Sequence, residues 1–330
     1  MAMKPRNPFV LVGYQGPEYF CDRERETQKF VTWLENGSNV TLIAPRRYGK
    51  TGLIHNVFHR LPDGFRGIYL DIYATKTLAE FTRLFAETVV GSLATLKETF
   101  GYLKSFEGNL VIAFDEFQQI LEYPETGTEA LLRSVVQEVP NVRFVFAGSR
   151  QHLMGEMFAT AKHPFYNSTD LLSLDVIDPK KYAAFAAPFF TDVGQSFDGA
   201  AFDALYWRFD GVTWYVQRVL NALWTSGDGL TSEAQVKAAV ADLVADRALV
   251  FRDLYESQNE VAKKLLPAIA AARVVAEPTA QAFLADCGLS ASSVRSSLAD
   301  LCARELVYKS SEGYLVYERL FAEWLRASGE

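Results

Sequence analysis

The sequence predicts an α/β chain: a parallel sheet covered by helices on both faces, then a helical section, then a small helix-rich unit closed by a hairpin. Three observations carry that prediction. Between residue 39 and about residue 174, short apolar runs alternate with longer helical patterns. After Asp178 strand signals fade and Ala-rich helical stretches take over. From about Ser257, three helical patterns precede two brief apolar runs separated by a polar turn containing Gly313.

The strand candidates are 39–43, 67–72, 110–114, 142–147 and 171–174. Each is brief, rich in Val, Ile, Leu, Tyr or Phe, and bounded by polar residues or glycine. Runs that are apolar at nearly every position suit strands buried on both faces, as in a parallel sheet. Their alternation with helices implies a doubly wound arrangement. Helices are then expected at 179–190, 199–208, 213–224 and 232–255, with Gly227, Asp228 and Gly229 marking a loop between two of them. They read as a lid domain, and Trp207, Trp214 and Trp224 on these helices read as core. The last section offers helices at 260–272, 279–287 and 290–304, then apolar runs at 306–309 and 314–317 joined through Ser310-Ser311-Glu312-Gly313. Helix-helix-helix-hairpin is the layout of a winged helix. The expected domains are 1–177, 178–256 and 257–330.

With 330 residues, 49% of them hydrophobic and 22% charged, the chain has material for two or three packed domains and is not disordered. A formal charge of -7 argues against nucleic-acid binding over the whole surface and leaves room for a local basic patch. Cys21, Cys287 and Cys302 are scattered and odd in number, which suits reduced thiols and neither a disulfide framework nor a zinc site. No apolar segment follows the basic start, and no run reaches the roughly 20 apolar residues of a membrane span. A soluble, cytoplasmic protein without membrane partners is expected.

The chemistry lies at three strand ends. An apolar strand runs into Ala44-Pro-Arg-Arg-Tyr-Gly-Lys-Thr51, followed by an amphipathic helix, which is the phosphate-loop pattern GxxxxGK[ST] with Ala44 in place of the first glycine. Consecutive N–H groups at a helix N-terminus surround phosphates. Gly49 lets the backbone approach without a Cβ. Lys50 supplies a point charge, and the Thr51 hydroxyl is a hard oxygen for Mg²⁺. A second strand ends in Asp115-Glu116, which puts two carboxylates at the carboxyl edge where open α/β sheets bind ligands. Asp115, on a neighbouring strand edge, would face the same Mg²⁺ through water, and Glu116 would orient or deprotonate the attacking water. A third strand ends in Ser149-Arg150. Either these two report on the γ-phosphate, or Ser149 caps the helix at 151–159 and Arg150 is merely exposed.

With these motifs the chain resembles the archaeal-type ATPases of the signal-transduction (STAND) branch of AAA+ P-loop proteins, nearest to bacterial members with a Pro-Arg-Arg-x-Gly-Lys-Thr loop. The segment from Glu18 to Glu26 resembles the family's entry motif, which lies by the adenine in relatives. Asp115-Glu-Phe-Gln-Gln119 resembles its acidic motif and Ala147-Gly-Ser-Arg-Gln151 its sensor strand. Asp210-Gly-Val-Thr-Trp-Tyr-Val-Gln217 resembles its Gly-x-Pro-x-Tyr lid segment, with Thr213 where Pro is usual. The stretch from Tyr317 to Arg326 resembles the closing helix of the winged domain. Ala44 and a short stretch at 90–109 depart from the pattern, the latter leaving open whether a partner-binding loop is absent. The resemblance implies ATP or ADP with Mg²⁺, held by Pro45, Arg46, Arg47, Tyr48, Gly49, Lys50, Thr51 and Gly52 together with Phe20, Asp22, Arg23 and Tyr215. The metal would sit on Thr51 and Asp115. Catalysis would fall to Glu116, Lys50, Ser149 and Arg150. It implies a slow ATPase switch whose lid and winged domain read the nucleotide state.

Other features read more plainly. Arg46 and Arg47 could touch phosphates or a neighbouring subunit, or hold the loop's shape. His55 and His59 share a helix face, yet lack a third ligand for zinc. Ser290, Ser292, Ser293, Arg295, Ser296 and Arg304 would face outward from the winged unit's second helix, with Lys309 and Arg319 nearby. That is a sparse basic set for DNA, so packing or partner recognition is favoured. A second copy of the chain, a protein partner, a DNA-associated role like that of origin-recognition ATPases, and a nucleotide-bound scaffold without turnover stay open.

Overall fold

The computed structural model describes residues 6–310 and 312–328. Residues 1–5, the turn residue Ser311 and residues 329–330 lie outside the described residues. The chain divides into two compact units, one of 1–195 with 210–221, the other of 196–209 with 222–330.

The first unit holds a parallel sheet of β1 (Val40–Ile43), β2 (Phe65–Asp71), β3 (Asn109–Asp115), β4 (Val142–Gly148) and β5 (Asp170–Ser173), in the order β2-β3-β4-β1-β5. Its helices are α1 (Glu24–Glu35), α2 (Lys50–Arg60), α3 (Leu78–Val89), α4 (Leu96–Ser105), α5 (Thr128–Gln137), α6 (Gln151–Ala159) and α7 (Pro179–Thr191). The strand period explains the continuous apolar runs. Leu110, Ile112 and Phe114 of β3, with Phe144 and Phe146 of β4, enter one core layer, while Val111, Ala113, Val145 and Ala147 enter the other. From Leu110 onward every residue of β3 is buried, and from Phe144 onward every residue of β4, so these two strands read as continuous apolar runs, whereas the edge strands β2 and β5 keep exposed positions such as Arg66 and Leu171. No element is assigned to 90–109 from the sequence, yet α4 forms there on a local signal. A capping box starts it: Thr95 accepts from the Glu98 amide, and the Glu98 carboxylate accepts from the Thr95 amide at 2.7 Å.

One expectation is corrected by the strand order. The acidic strand β3 is not beside β1, because β4 lies between them. The crossover that inserts β4 is decided by how the layers pack, which no local pattern records.

In the second unit, α8 (Gly199–Arg208) packs with α10 (Glu233–Ala245), and α11 (Ala248–Glu256) follows. The expected single helix at 232–255 is therefore two: Arg247 leaves helical geometry at φ -111, ψ 4, and α11 turns Phe251 against Phe321 and Trp324. The chain passes between the units within α9 (Thr213–Ser226). Trp207 is not core; it is 60% exposed, because the buried stripe of α8 runs through Ala201, Phe202, Leu205 and Tyr206 and leaves Trp207 outside it.

The winged unit comprises α12 (Glu260–Ala272), α13 (Gln281–Cys287), α14 (Ala291–Ala303), the antiparallel hairpin of β6 (Val307–Lys309) and β7 (Tyr314–Val316), and α15 (Arg319–Ser328). Gly313, at φ 148, lies so close to the Val275 backbone that a side chain would collide with it. Tyr314 and Val275 exchange both backbone bonds, at 3.0 and 2.9 Å, fastening the hairpin to the chain after α12. Among the expected outward residues, Ser290 caps α14 through the Ser293 amide, Ser293 is half-buried, and Arg304 pairs with Asp300 at 3.2 Å. Arg319 is buried and bonded to the Tyr308 hydroxyl at 3.1 Å. The three cysteines are free. Among the described residues no helix is long and apolar enough to cross a membrane.

Candidate functional site

The loop between β1 and α2 carries two left-handed residues, Arg47 at φ 71 and Gly49 at φ 88, and Gly49 is the N-cap of α2. The loop so curled leads into the N-terminus of α2, whose first amides have no partner inside the helix and suit an anion. Ala44 is fully buried with the residues of β1, and its amide donates to the Gly148 carbonyl at 3.3 Å. Its methyl belongs to the core and does not line the cavity, and it is not among the residues with positive φ. The missing first glycine therefore costs the loop no conformational freedom.

At the sheet edge the two motifs meet. The Thr51 hydroxyl donates to Asp115 Oδ2 at 2.8 Å, although β4 separates their strands. The Lys50 ammonium stands 3.6 Å from Glu116 Oε1. Glu116 itself is left-handed at φ 57, which swings its side chain back toward the loop. Its Oε2 accepts from Ser149 Oγ and from Gln118 Nε2, both at 2.6 Å. Burial pushes the Glu116 pKa up, but the Lys50 charge and the bonds from Ser149 and Gln118 outweigh it, and the carboxyl lies below its ordinary value. Ser149 thus holds Glu116 and does not cap α6, whose N-cap is Arg150 with no side-chain capping bond. Arg150 pairs with Glu122.

A cavity of about 300 Å³ opens on the loop. Of the expected residues, Arg47, Tyr48, Gly49, Lys50, Thr51, Gly52, Phe20 and Arg23 line it. A Cβ on Gly52 would come within 3.2 Å of the Phe20 ring, so the glycine admits that aromatic wall. Arg23, at φ 72 and nearly fully buried, bonds Glu26 at 2.9 Å and the Asp175 carbonyl, tying the entry segment to the end of β5. Pro45, Arg46, Asp22 and Tyr215 do not line it. Arg46 lies over the Tyr73 ring at 5.2 Å, and Asp22 accepts from Lys181 at 2.8 Å. Tyr215 is buried and accepts a hydrogen bond from the Arg47 guanidinium.

Several residues of the site escaped the sequence reading. Tyr69 donates to Asp115 Oδ2 at 2.8 Å. Asp71 stands opposite Asp115 in the β2–β3 register, and burial followed by the charges of Asp115 and Glu116 raises its pKa. Both sit at the carboxyl end of β2, so the edge rule that flagged Asp115 would have found them. The cavity walls at Tyr14, Ile177 and Phe185 come from distant segments and carry no local signal, while Trp214, expected in the core, is half-buried and lines the cavity instead. His55 and His59 serve as ring contacts: His55 packs on Tyr69 at 4.9 Å, and His59 lies 6.5 Å from Tyr14. Among the described residues no three His, Cys, Asp or Glu side chains group for a metal. One hydroxyl and one carboxylate nevertheless fit Mg²⁺, which takes one or two protein oxygens and completes its shell with phosphate and water.

These features define a P-loop NTPase fold with a helical lid segment, followed by a winged helix. Residues 36–176 match an AAA domain family, and residues 249–327 match a probable winged helix domain. The fold is similar to that of the Walker-type ATPase PABY2304 of Pyrococcus abyssi, at 19% identity over 97% of this chain and 99% of that one, with a TM-score of 0.72. It is also similar to the ORC2 protein of Aeropyrum pernix in ADPNP–ADP complexes, at 16% identity over 99% of each chain and a TM-score of 0.64. The ORC1 protein of Aeropyrum pernix in complex with DNA is 15% identical over 98% of this chain and 97% of that one, with a TM-score of 0.59. No curated protein sequence matches the chain.

Proposed function

We propose that this chain binds ATP with Mg²⁺ and hydrolyses it slowly as a conformational switch of the AAA+/STAND type. The observation that carries the reading is the 2.8 Å bond from Thr51 to Asp115 beside the Lys50–Glu116 pair. Two motifs 64 residues apart converge on one point at a helix N-terminus. In this reading the loop amides and Lys50 hold the phosphates, and Thr51 and Asp115 hold the cation. When bound, the cation neutralises phosphate charge. Glu116, kept ionised by Lys50, Ser149 and Gln118, accepts a proton from the attacking water. The apolar cavity wall around Phe20, Tyr14 and Phe185 suits a purine base.

The switch part rests on Arg47. It belongs to the loop, and its partners Trp214 and Tyr215 begin a helix that continues into the second unit. A phosphate that drew Arg47 aside would release the start of α9. The test combines calorimetry with Mg-ATP and phosphate release from the purified protein. Binding heat with slow release supports the reading; binding with no release leaves a nucleotide-bound scaffold; no heat rejects both.

The DNA-associated reading draws on the ORC1 likeness. Against it, Arg319 is buried and the exposed Arg304 is paired with Asp300, which leaves Arg295 as the exposed arginine of this face with no acidic partner among the described residues. Duplex binding that weakens steeply with salt and disappears in Arg295→Ala would favour it.

A further inference from the structure

The nucleotide reading accounts for the Thr51–Asp115 bond but not for the second donor on the same oxygen. Asp115 is buried to 3% exposure. Its Oδ1 accepts the Glu116 amide at 3.0 Å. Its Oδ2 accepts both the Thr51 hydroxyl and the Tyr69 hydroxyl, each at 2.8 Å. Tyr69 comes from β2, on the far side of β3 from the loop, and stands opposite Ala113 in the register, two residues before Asp115. Its ring rests on His55 of α2, so β2 and α2 together aim the phenol at the carboxylate.

We propose that Tyr69 is a positioning residue for the divalent cation, fixing the rotation of the Asp115 carboxylate so that one face stays turned toward the metal. This role rests on the nucleotide reading and on the donors that Asp115 receives. Thr51 is itself a metal ligand in that reading, so its hydroxyl is shared with the cation and its bond to Asp115 cannot by itself fix the carboxylate. The Glu116 amide holds only the other oxygen. Tyr69, on β2, is no ligand in that reading and supplies a donor to Asp115 for which the cation does not compete. A phenol meeting a carboxylate can only donate. Hydrogen-bond partners behind a metal ligand are worth about 10- to 100-fold in metal affinity.

The test is Tyr69→Phe, which keeps the ring against His55 and removes one oxygen. Binding of a fluorescent ATP analogue is titrated with Mg²⁺, and separately measured in EDTA. The half-saturating Mg²⁺ concentration should rise about 10- to 100-fold, while affinity in EDTA and the melting temperature stay at the wild-type values. An unchanged Mg²⁺ requirement overturns the proposal. Equal weakening with and without Mg²⁺ overturns it too, since Tyr69 would then be shaping the loop. If wild-type protein binds the analogue with no Mg²⁺ dependence, or not at all, the nucleotide reading itself fails and Tyr69's role with it.

Discussion

The Arg47 guanidinium lies over the Trp214 indole, 4.5 Å from the ring centroid, and the Arg47 carbonyl accepts the Trp214 amide at 3.2 Å. A phosphate-loop residue is thus held by both its side chain and its backbone to the start of α9. The sequence offered Arg47 contact with phosphate or a neighbouring subunit, or a part in holding the loop's shape; in this structure its side chain lines the cavity and rests on Trp214 and Tyr215.

Arg47→Ala should free Trp214 and loosen the loop. A desolvated cation–π contact is worth about 2 kcal/mol. We expect a red shift of tryptophan emission in the nucleotide-free protein, and a much smaller change on adding Mg-ATP than in wild type. Unaltered emission in both conditions would dissociate Arg47 from any switching.

Glu116→Gln should keep nucleotide affinity and lower turnover by about 10²- to 10⁴-fold, the range for a positioned base. Equal phosphate release by the variant would remove Glu116 from the role. Lys50→Ala should instead weaken nucleotide binding, measured by calorimetry, and undiminished affinity would count against the loop assignment.

The pH dependence follows from the lowered Glu116 pKa. A depressed folded-state pKa contributes stability above the ordinary carboxyl value near 4.5, lost as pH falls through the lower folded value. As a base, Glu116 should therefore give no acid limb in turnover above about pH 4.5. Ser149→Ala removes one of the bonds that hold the carboxylate ionised, so the acid limb should move upward in pH–rate profiles. A limb that stays in place would mean that Ser149 does not tune Glu116.

Phe114, 2% exposed, stacks within the ring cluster of the core face beneath β3. Phe114→Ala should destabilise the first unit by about 3–5 kcal/mol, read from urea denaturation. Because Asp115 is the next residue, the same variant should also weaken Mg²⁺-dependent nucleotide binding. A loss below about 1 kcal/mol would show that the face repacks around the cavity.

Strand positions, the phosphate loop, the Asp115-Glu116 pair and the winged hairpin were all legible in the chain, because each is set by local chemistry. Short runs that are apolar at nearly every position make buried strands, Gly49 permits a left-handed turn, and a polar turn with glycine makes a hairpin. Tertiary structure decided what depends on strand order and on contacts between remote segments. It inserted β4 between β1 and β3, aimed Tyr69 at Asp115, gave Ser149 to Glu116 instead of to α6, and set Arg47 against Trp214 and Tyr215. The physical reason is distance along the chain: a bond between residues 46 or 168 positions apart leaves no period, composition or spacing for a sequence to display.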